Sequence, residues 1–300
     1  MKRAIVAGGT GFVGRHLCQE LSNQGWEPVV LTRKVQSGAG FRQVQWDGKN
    51  QGEWSAEING ADAVFNLSGA PVEQKWTPEY RQVICRSRVD STAALHQAVS
   101  AADSKPRAWV NASAVGFYGD RGDEVLGESA RAGVGFLPDV CQAWERACLT
   151  PVIEGVKQVC VRNGHVLGAD DGLLPVMLKL AKSFLGGAAG DGRQWMPLIH
   201  VRDLARFYIW CIDHVNSGPI NGCAPEPVTN AQFMSQLRMA VGRPFSPPVP
   251  KPLLEFGTGL VGMQGSLMTM SHRAVPTLAQ SLGFRWEFPT LESMLADLVK

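Results

Sequence analysis

The chain has 300 residues, enough to bury a large core, as one big α/β domain or as a domain with an added lobe. Hydrophobic residues make up 45% and charged residues 19%, with a net charge of +2 and no block of like charges, which describes an ordinary soluble protein and argues against a nucleic-acid or membrane-surface partner. Seven cysteines, an odd count without any Cys-x-x-Cys pair, argue against a disulfide frame or a zinc site and for reduced thiols in a cytoplasmic protein.

In chain order, the opening "MKRAIVAGGTGFVG" has the charged start of a signal peptide, but four glycines and a threonine break its apolar run. A buried strand followed by a turn fits it better. Short apolar runs follow at Arg3–Ala7, Pro28–Leu31, Ala63–Leu67, Ala108–Ala112 and Gln158–Arg162. Between them stand helical patterns at Arg15–Gln24, Arg81–Ala101 and Asp139–Thr150. Buried strands alternating with helices predict an α/β fold with a parallel, doubly wound sheet. A helix over Arg202–His214 then leads to a last strand near Ile220–Cys223.

The C-terminal part has a different character. "GRPFSPPVPKP" (242–252) is too rich in proline to lie inside an element, and "EFGTGLVGMQGSLM" and a short amphipathic end, Leu291–Val299, follow it. The expected division is a nucleotide-binding domain over 1–166, rejoined by 200–225, and a smaller C-terminal substrate lobe from 167–199 and 226–300. No run approaches the roughly 18 apolar residues needed to span a bilayer.

"IVAGGTGFVGRHL" places Gly8, Gly11 and Gly14 after a strand and at the start of a helix. Glycines there permit a tight turn, close approach of backbone to a pyrophosphate, and close helix–sheet packing. The helix N-terminus adds free N–H groups and partial positive charge for the anion. At the end of the second strand an acidic residue would select NAD, but "VVLTRK" offers Thr32, Arg33 and Lys34. A guanidinium suits a 2′-phosphate, so the expected cofactor is NADP(H).

The glycine triplet, "NLSGAPV" (66–72) and "NASAVGFYGD" (111–120) resemble the extended short-chain dehydrogenase/reductases, which include nucleotide-sugar epimerases. A narrower resemblance, to the atypical branch called epimerase family proteins, rests on Trp76, "SR" (87–88), "CQAWE" (141–145), "VRNGHVLG" (161–168) and "GRQWMPLIHVRDL" (192–204). It continues through "INGCAPEPVTNAQF" (220–233), "VGRPF" (241–245) and "GFRWEFPTLE" (283–292), and so covers nearly the whole chain. The resemblance implies a Rossmann-type fold whose nicotinamide faces a substrate lobe. It makes Gly8, Thr10, Gly11, Phe12, Val13 and Gly14 the pyrophosphate loop, gives Thr32 and Arg33 the adenosine ribose phosphate, and sets Leu67, Ser68 and Arg88 along the cofactor. Ser113 matches the serine that hydrogen-bonds a substrate oxygen. Relatives often pair through two helices, which makes a homodimer possible, although the matching helices here carry no clear apolar seam.

The pattern departs from the superfamily at its acid–base pair. None of the three tyrosines is followed by lysine four residues later, and the matching positions hold Cys141 and Glu145. That spacing keeps both on one helix face. A carboxylate beside a thiol raises the thiol pKa above its reference of about 8.5, the reverse of what lysine does to tyrosine. Cys141 then reads as packing or as a changed catalyst. Glu145 reads as a ribose or substrate contact, as an acid or base, or as a surface carboxylate. Tyr118 either lines the site or takes over as acid. His200 is expected to be a structural hydrogen-bonder rather than a catalyst. Gln194 and Trp195 are substrate contacts or lobe core, and "DEVLGE" (123–128) is a solvated loop with no metal-ligand spacing. The expected activity is an NADP-dependent oxidoreductase or epimerase acting on a small polar molecule, sugar-like or otherwise; the rival is a non-catalytic NADP(H)-binding sensor.

Overall fold

The structure, a computed structural model, describes residues 1–38, 40–250 and 264–299. Parts of the proline-rich stretch and of the glycine-rich stretch after it, and the end of the expected lobe, therefore lie outside the described residues. Seven parallel strands form the central sheet: β1 (Lys2–Ala7), β2 (Trp26–Thr32), β3 (Arg42–Gln45), β4 (Ala63–Asn66), β5 (Ala108–Ala114), β6 (Lys157–Asn163) and β7 (Gly218–Gly222). Their spatial order is β7-β6-β5-β4-β1-β2-β3, so the order reverses beside β1. Ligands of such sheets lie outside the carboxyl ends of the strands at that reversal. The doubly wound α/β fold expected from the alternating runs is the fold observed.

Both faces of the sheet are covered, which is why its strands read as continuous apolar runs rather than alternations. Helices α1 (Phe12–Asn23) and α5 (Val201–His214) pack on one face, where Leu17, Leu21, Phe207 and Ile212 meet Val6, Val30 and Phe65. On the other lie α2 (Pro78–Ala101) and α3 (Phe136–Leu149), where Leu95, Val99 and Cys148 meet Ile5, Val29, Val64 and Trp109. Helices α1, α2 and α3 each start three residues earlier than the sequence patterns suggest. Thr77 caps α2 by accepting from the Tyr80 N–H at 3.2 Å, with Pro78 in the first helical position. In α3 Pro138 falls within the first turn, where a missing N–H costs nothing. β3 was not legible at all: "RQVQ" is a half-exposed edge strand without an apolar run.

Helices α4 (Leu173–Lys182), α6 (Asn230–Ala240) and α8 (Leu291–Leu298) build a separate core from Leu174, Met177, Phe233, Leu237, Met294 and Leu295. Between the two cores run short strand pairs, including His165–Leu167 with Leu198–His200. Not all of the C-terminal part stays with α8. Ala274 pairs with Leu126, while Ala279 of the short helix α7 (Thr277–Ser281) and Phe284 pack into the core under α5. Asp203, fully buried, fastens this return by accepting the N–H groups of Glu287 and Phe288, both at 2.8 Å, and an ion pair from Arg206 at 2.9 Å.

Candidate functional site

The β1–α1 turn is built by crowding. Gly8 has φ +79°, and a Cβ there would stand 2.8 Å from the Leu67 carbonyl carbon. A Cβ on Gly14 would stand 2.2 Å from the Gly8 oxygen. Only glycine fits either place. Gly11 occupies the N-cap of α1 without a capping side chain, and no acidic residue lies in the first turn, so its N–H groups stay available to an anion. Thr10 and Gly11 are exposed, and Val13 packs against the sheet core. The Phe12 ring lies under Gly168 and Gly172, where added Cβ atoms would come within 2.6 and 2.8 Å of it. Next to it Arg15 pairs with Asp170 at 2.7 Å. The segment after β6 is thereby held against this turn.

On one side of the turn, β2 ends at Thr32, and Arg33 is exposed with no ion pair among the described residues. On the other, Leu67 continues the β4 edge by donating to Ala7 O at 2.8 Å, and the Ser68 N–H donates to Asn66 Oδ1 at 3.1 Å. Asn66 is itself fixed by buried bonds to Thr92 at 2.9 Å and Asn111 at 2.7 Å. The loop glycines, Thr32, Arg33, Leu67 and Ser68 thus share one edge of the sheet, a cradle that a Cβ would fill and a donor set suited to a pyrophosphate and a 2′-phosphate.

Ser113, near the end of β5, belongs to a buried network. Its hydroxyl donates to Glu145 Oε1 at 2.7 Å. Arg162, in β6 directly beside Ser113, grips the same carboxylate through Nε at 2.8 Å and Nη2 at 2.9 Å. Its Nη1 donates to the Tyr118 hydroxyl at 3.0 Å, and its guanidinium lies 3.4 Å over the Phe117 ring. The Tyr118 hydroxyl donates in turn to Asn221 Oδ1 at 2.7 Å. Ser113, Tyr118, Glu145, Arg162 and Asn221 are all buried. Glu145 is no surface carboxylate, and the fully buried Tyr118 has its hydroxyl engaged on both sides, as a brace. Burial raises the Tyr118 pKa above its ordinary value, against the lowering field of Arg162.

Cys141 lies one helical turn before Glu145, buried, with its thiol directed at Ala114 O at 3.7 Å. Burial first, and Glu145 second, push its pKa up to about 12. The direction matches the sequence argument, but desolvation outweighs the carboxylate. Arg88 follows Ser87 on α2, with Nη1 donating to Ala70 O and Ile84 O, both at 3.0 Å.

The remaining candidates make contacts within the protein. His200 caps α5 by accepting from the Arg202 N–H at 3.1 Å and stacks on Phe288 at 4.0 Å. Gln194 is buried and spans Ala189 O and Met268 O at 3.0 and 2.8 Å. Trp195 donates to Asp123 at 2.7 Å. Asp123 and Glu124 are exposed, but Glu128 departs from the solvated-loop reading: it accepts the N–H groups of Asn221 at 3.1 Å and Leu278 at 3.2 Å. Among the described residues no group of three or more His, Cys, Asp or Glu side chains could hold a metal ion, and no helix is long and apolar enough to cross a membrane.

Comparison with known proteins agrees with this geometry. Residues 4–223 match the profile of the NAD dependent epimerase/dehydratase family, and residues 249–298 match a domain of unknown function, DUF1731. The epimerase family protein SDR39U1 homolog of Arabidopsis thaliana chloroplasts is 32% identical, covering 98% of this chain and 86% of its own. The epimerase family protein YfhF of Bacillus subtilis is 32% identical, covering 98% and 97%. The crystal structure of human epimerase family protein SDR39U1 with NADPH superposes with a TM-score of 0.89 at 29% identity over 99% of both chains. The chain belongs to the NAD dependent epimerase/dehydratase family, within its branch of epimerase family proteins.

Proposed function

We propose that this protein binds NADP(H) and acts as an oxidoreductase or epimerase on a small polar, sugar-like substrate. The carrying observation is the edge itself: a turn only glycine can make, an uncapped helix N-terminus, and an Arg33 without an ion pair among the described residues where an NAD-selecting acid would stand. That the human relative was crystallised with NADPH supports the same cofactor. Gly8, Thr10, Gly11, Phe12, Val13 and Gly14 would hold the pyrophosphate, Thr32 and Arg33 the 2′-phosphate, and Leu67, Ser68 and Arg88 the run toward the nicotinamide. When bound, the cofactor supplies a hydride acceptor or donor. Residues 1–166 with 200–225 form the binding domain in this reading, and 167–199 with 226–300 the lobe facing it.

Catalytic work falls to Ser113. Because its proton is committed to Glu145, its lone pairs are turned to accept from a substrate hydroxyl. Arg162 grips both oxygens of Glu145, so the carboxylate is fixed to orient the serine. With Tyr118 braced and the Cys141 thiol raised, the proton leaves through water. Titration with NADPH and with NADH, read by energy transfer from tryptophan, tests the cofactor. A preference for NADPH of about tenfold, roughly 1.4 kcal/mol, is expected, and equal affinity would remove Arg33 from the site. For the chemistry, NADP-linked turnover of a panel of polyols and sugars should be lost in Ser113→Ala; turnover that survives it counts against Ser113 as the catalytic group, and a panel with none counts against an enzyme.

One observation favours a second reading, an NADP(H)-binding sensor without catalysis: the carboxylate that replaces the family's lysine is tied up by Arg162. That reading expects partner recovery to differ between NADP and NADPH. Identical recovery with either cofactor and with none would end it.

A further inference from the structure

The loop from Gly168 to Gly172 leaves the lobe core and returns to it. Leu167 before it and Leu174 after it are fully buried in that core, and an antiparallel bridge between Leu167 and Gly172 closes its neck. Ala169, Asp170 and Asp171 at its tip are exposed. The loop rests on the first residue of α1. The Phe12 ring fills the space beside Gly168 and Gly172, where added Cβ atoms would come within 2.6 and 2.8 Å of it. Gly172, at φ +80°, also makes a turn that a side chain would strain.

The tip is fastened to the next turn of α1. Arg15 donates to Asp170 Oδ2 from Nε at 3.1 Å and from Nη2 at 2.7 Å, and reaches Asp171 at 3.5 Å. The His16 ring meets the other Asp170 oxygen at 3.3 Å and the Phe12 ring edge-on at 5.7 Å. Exposed ion pairs of this kind are individually weak and are screened by salt. The loop is therefore seated by a close fit of ring and glycines, and locked by a latch that opens at little cost.

Carboxylates are an unfavourable choice of charge at this place. The N-terminus of α1 offers free N–H groups and a partial positive charge, and negative side chains beside it oppose an incoming anion. Asp170 and Asp171 thus work against a phosphate-bearing cofactor. What Asp170 provides in return is the hold on Arg15, which keeps the loop against Phe12.

We propose that residues 168–172 are a strap on the cofactor site, latched by Asp170 to Arg15, which lifts for NADP(H) to enter and to leave. The inference rests on the NADP(H) reading and gives this stretch of the lobe a role at the phosphate turn. Stopped-flow measurement of NADPH association and release, by energy transfer from tryptophan, tests it with three variants. Asp170→Ala should raise both rate constants about fivefold and move Kd by less than about threefold, because a strap hinders entry and exit alike. Loss of a repelling charge alone would speed association and slow release, and so tighten Kd. Asp171→Ala removes the same charge at the weaker contact and should show only that electrostatic pattern. Arg15→Gln changes the charge in the opposite sense and should still speed association, which on charge alone it would slow. Release unchanged or slowed in Asp170→Ala, or speeded equally in Asp171→Ala, would overturn the strap. Hydrogen exchange over 168–172 in cofactor-free protein is the second readout. It should quicken about fivefold in Asp170→Ala and in Arg15→Gln. Unchanged exchange would mean that there is no latch. A wild type that binds no NADPH would sink the cofactor reading and the strap's role in it, while exchange would still show whether the loop is latched.

Discussion

The β1–α1 turn and the α3–β6 seam lie at the same end of the sheet, yet they are specified in opposite ways. In the turn the determinant is the absence of side chains: positions 8 and 14 admit no Cβ, and the work is done by backbone N–H groups. In the seam everything depends on side-chain identity, because Ser113, Glu145, Arg162 and Tyr118 satisfy one another inside the protein. A backbone device of the first kind survives wide sequence drift. A buried network of the second kind can be rebuilt with a different charge pattern only if several residues change together. Glu145 in place of lysine is tolerable because Arg162 brings the positive charge from the neighbouring strand.

The sharpest way to break the comparison is to remove one side of the seam. Arg162→Met leaves Glu145 buried and unpaired, and should cost about 3–5 kcal/mol in denaturant unfolding. Adding Glu145→Leu should return most of that loss, because a buried pair replaced by apolar groups is often neutral. If the two losses simply add, the pair is not coupled as drawn. Gly14→Ala attacks the turn instead, and should weaken NADPH binding by roughly a hundredfold, about 2.7 kcal/mol. Gly11→Ala is the control, since its Cβ would meet only Gly8 O, at 3.3 Å, and should cost far less. Equal losses in the two variants would mean that crowding does not set the turn. Smaller again is Arg33→Ala, expected to cut NADPH affinity about tenfold while leaving NADH unchanged. A parallel fall in both would place Arg33 elsewhere.

The same contrast explains what could be read from the sequence. The turn was legible because its signal is local: a strand, spaced glycines and a helix within fourteen residues. The central strands were legible because burial on both faces makes them continuous apolar runs. β3 was not, because an edge strand need not be apolar. In the seam, Ser113, Glu145, Tyr118 and Cys141 were found by position, but their relations were not, since Arg162 completes them from another strand. A signal was present. Arg162 ends the run "QVCVR", and a charge in a strand buried between helices demands a buried partner of opposite sign. The only sequence-level clue to which partner was Glu145, a carboxylate on a helix otherwise apolar on that face. Asn66 and Asp203 are the same kind of omission: polar groups inside apolar surroundings, legible as needing partners but not as having particular ones.

His272 gives the smallest effect and carries the comparison one step further. The polar groups of the seam are paired, whereas this ring is 4% exposed and neither nitrogen has a hydrogen-bond partner among the described residues. Burial, with His165 adding to it and Asp120 opposing, lowers its pKa to about 4. Between pH 6.5 and about 4 the unfolded chain takes up a proton that the folded ring refuses, so its effect on stability is fully felt only as pH falls. Above 6.5 the linkage is silent and only the desolvated nitrogens count. His272→Leu should therefore raise stability by about 1 kcal/mol at pH 7, because an unpartnered buried polar group is replaced by an apolar one. The gain should widen toward pH 5, by at most about 1.4 kcal/mol per pH unit. Some acid sensitivity should remain in the variant, since burial also lowers His165 and His200 to about 4. A variant less stable than wild type at pH 7, with the pH dependence unchanged, would show that the ring is paired after all and that the seam is not special in satisfying its polar atoms.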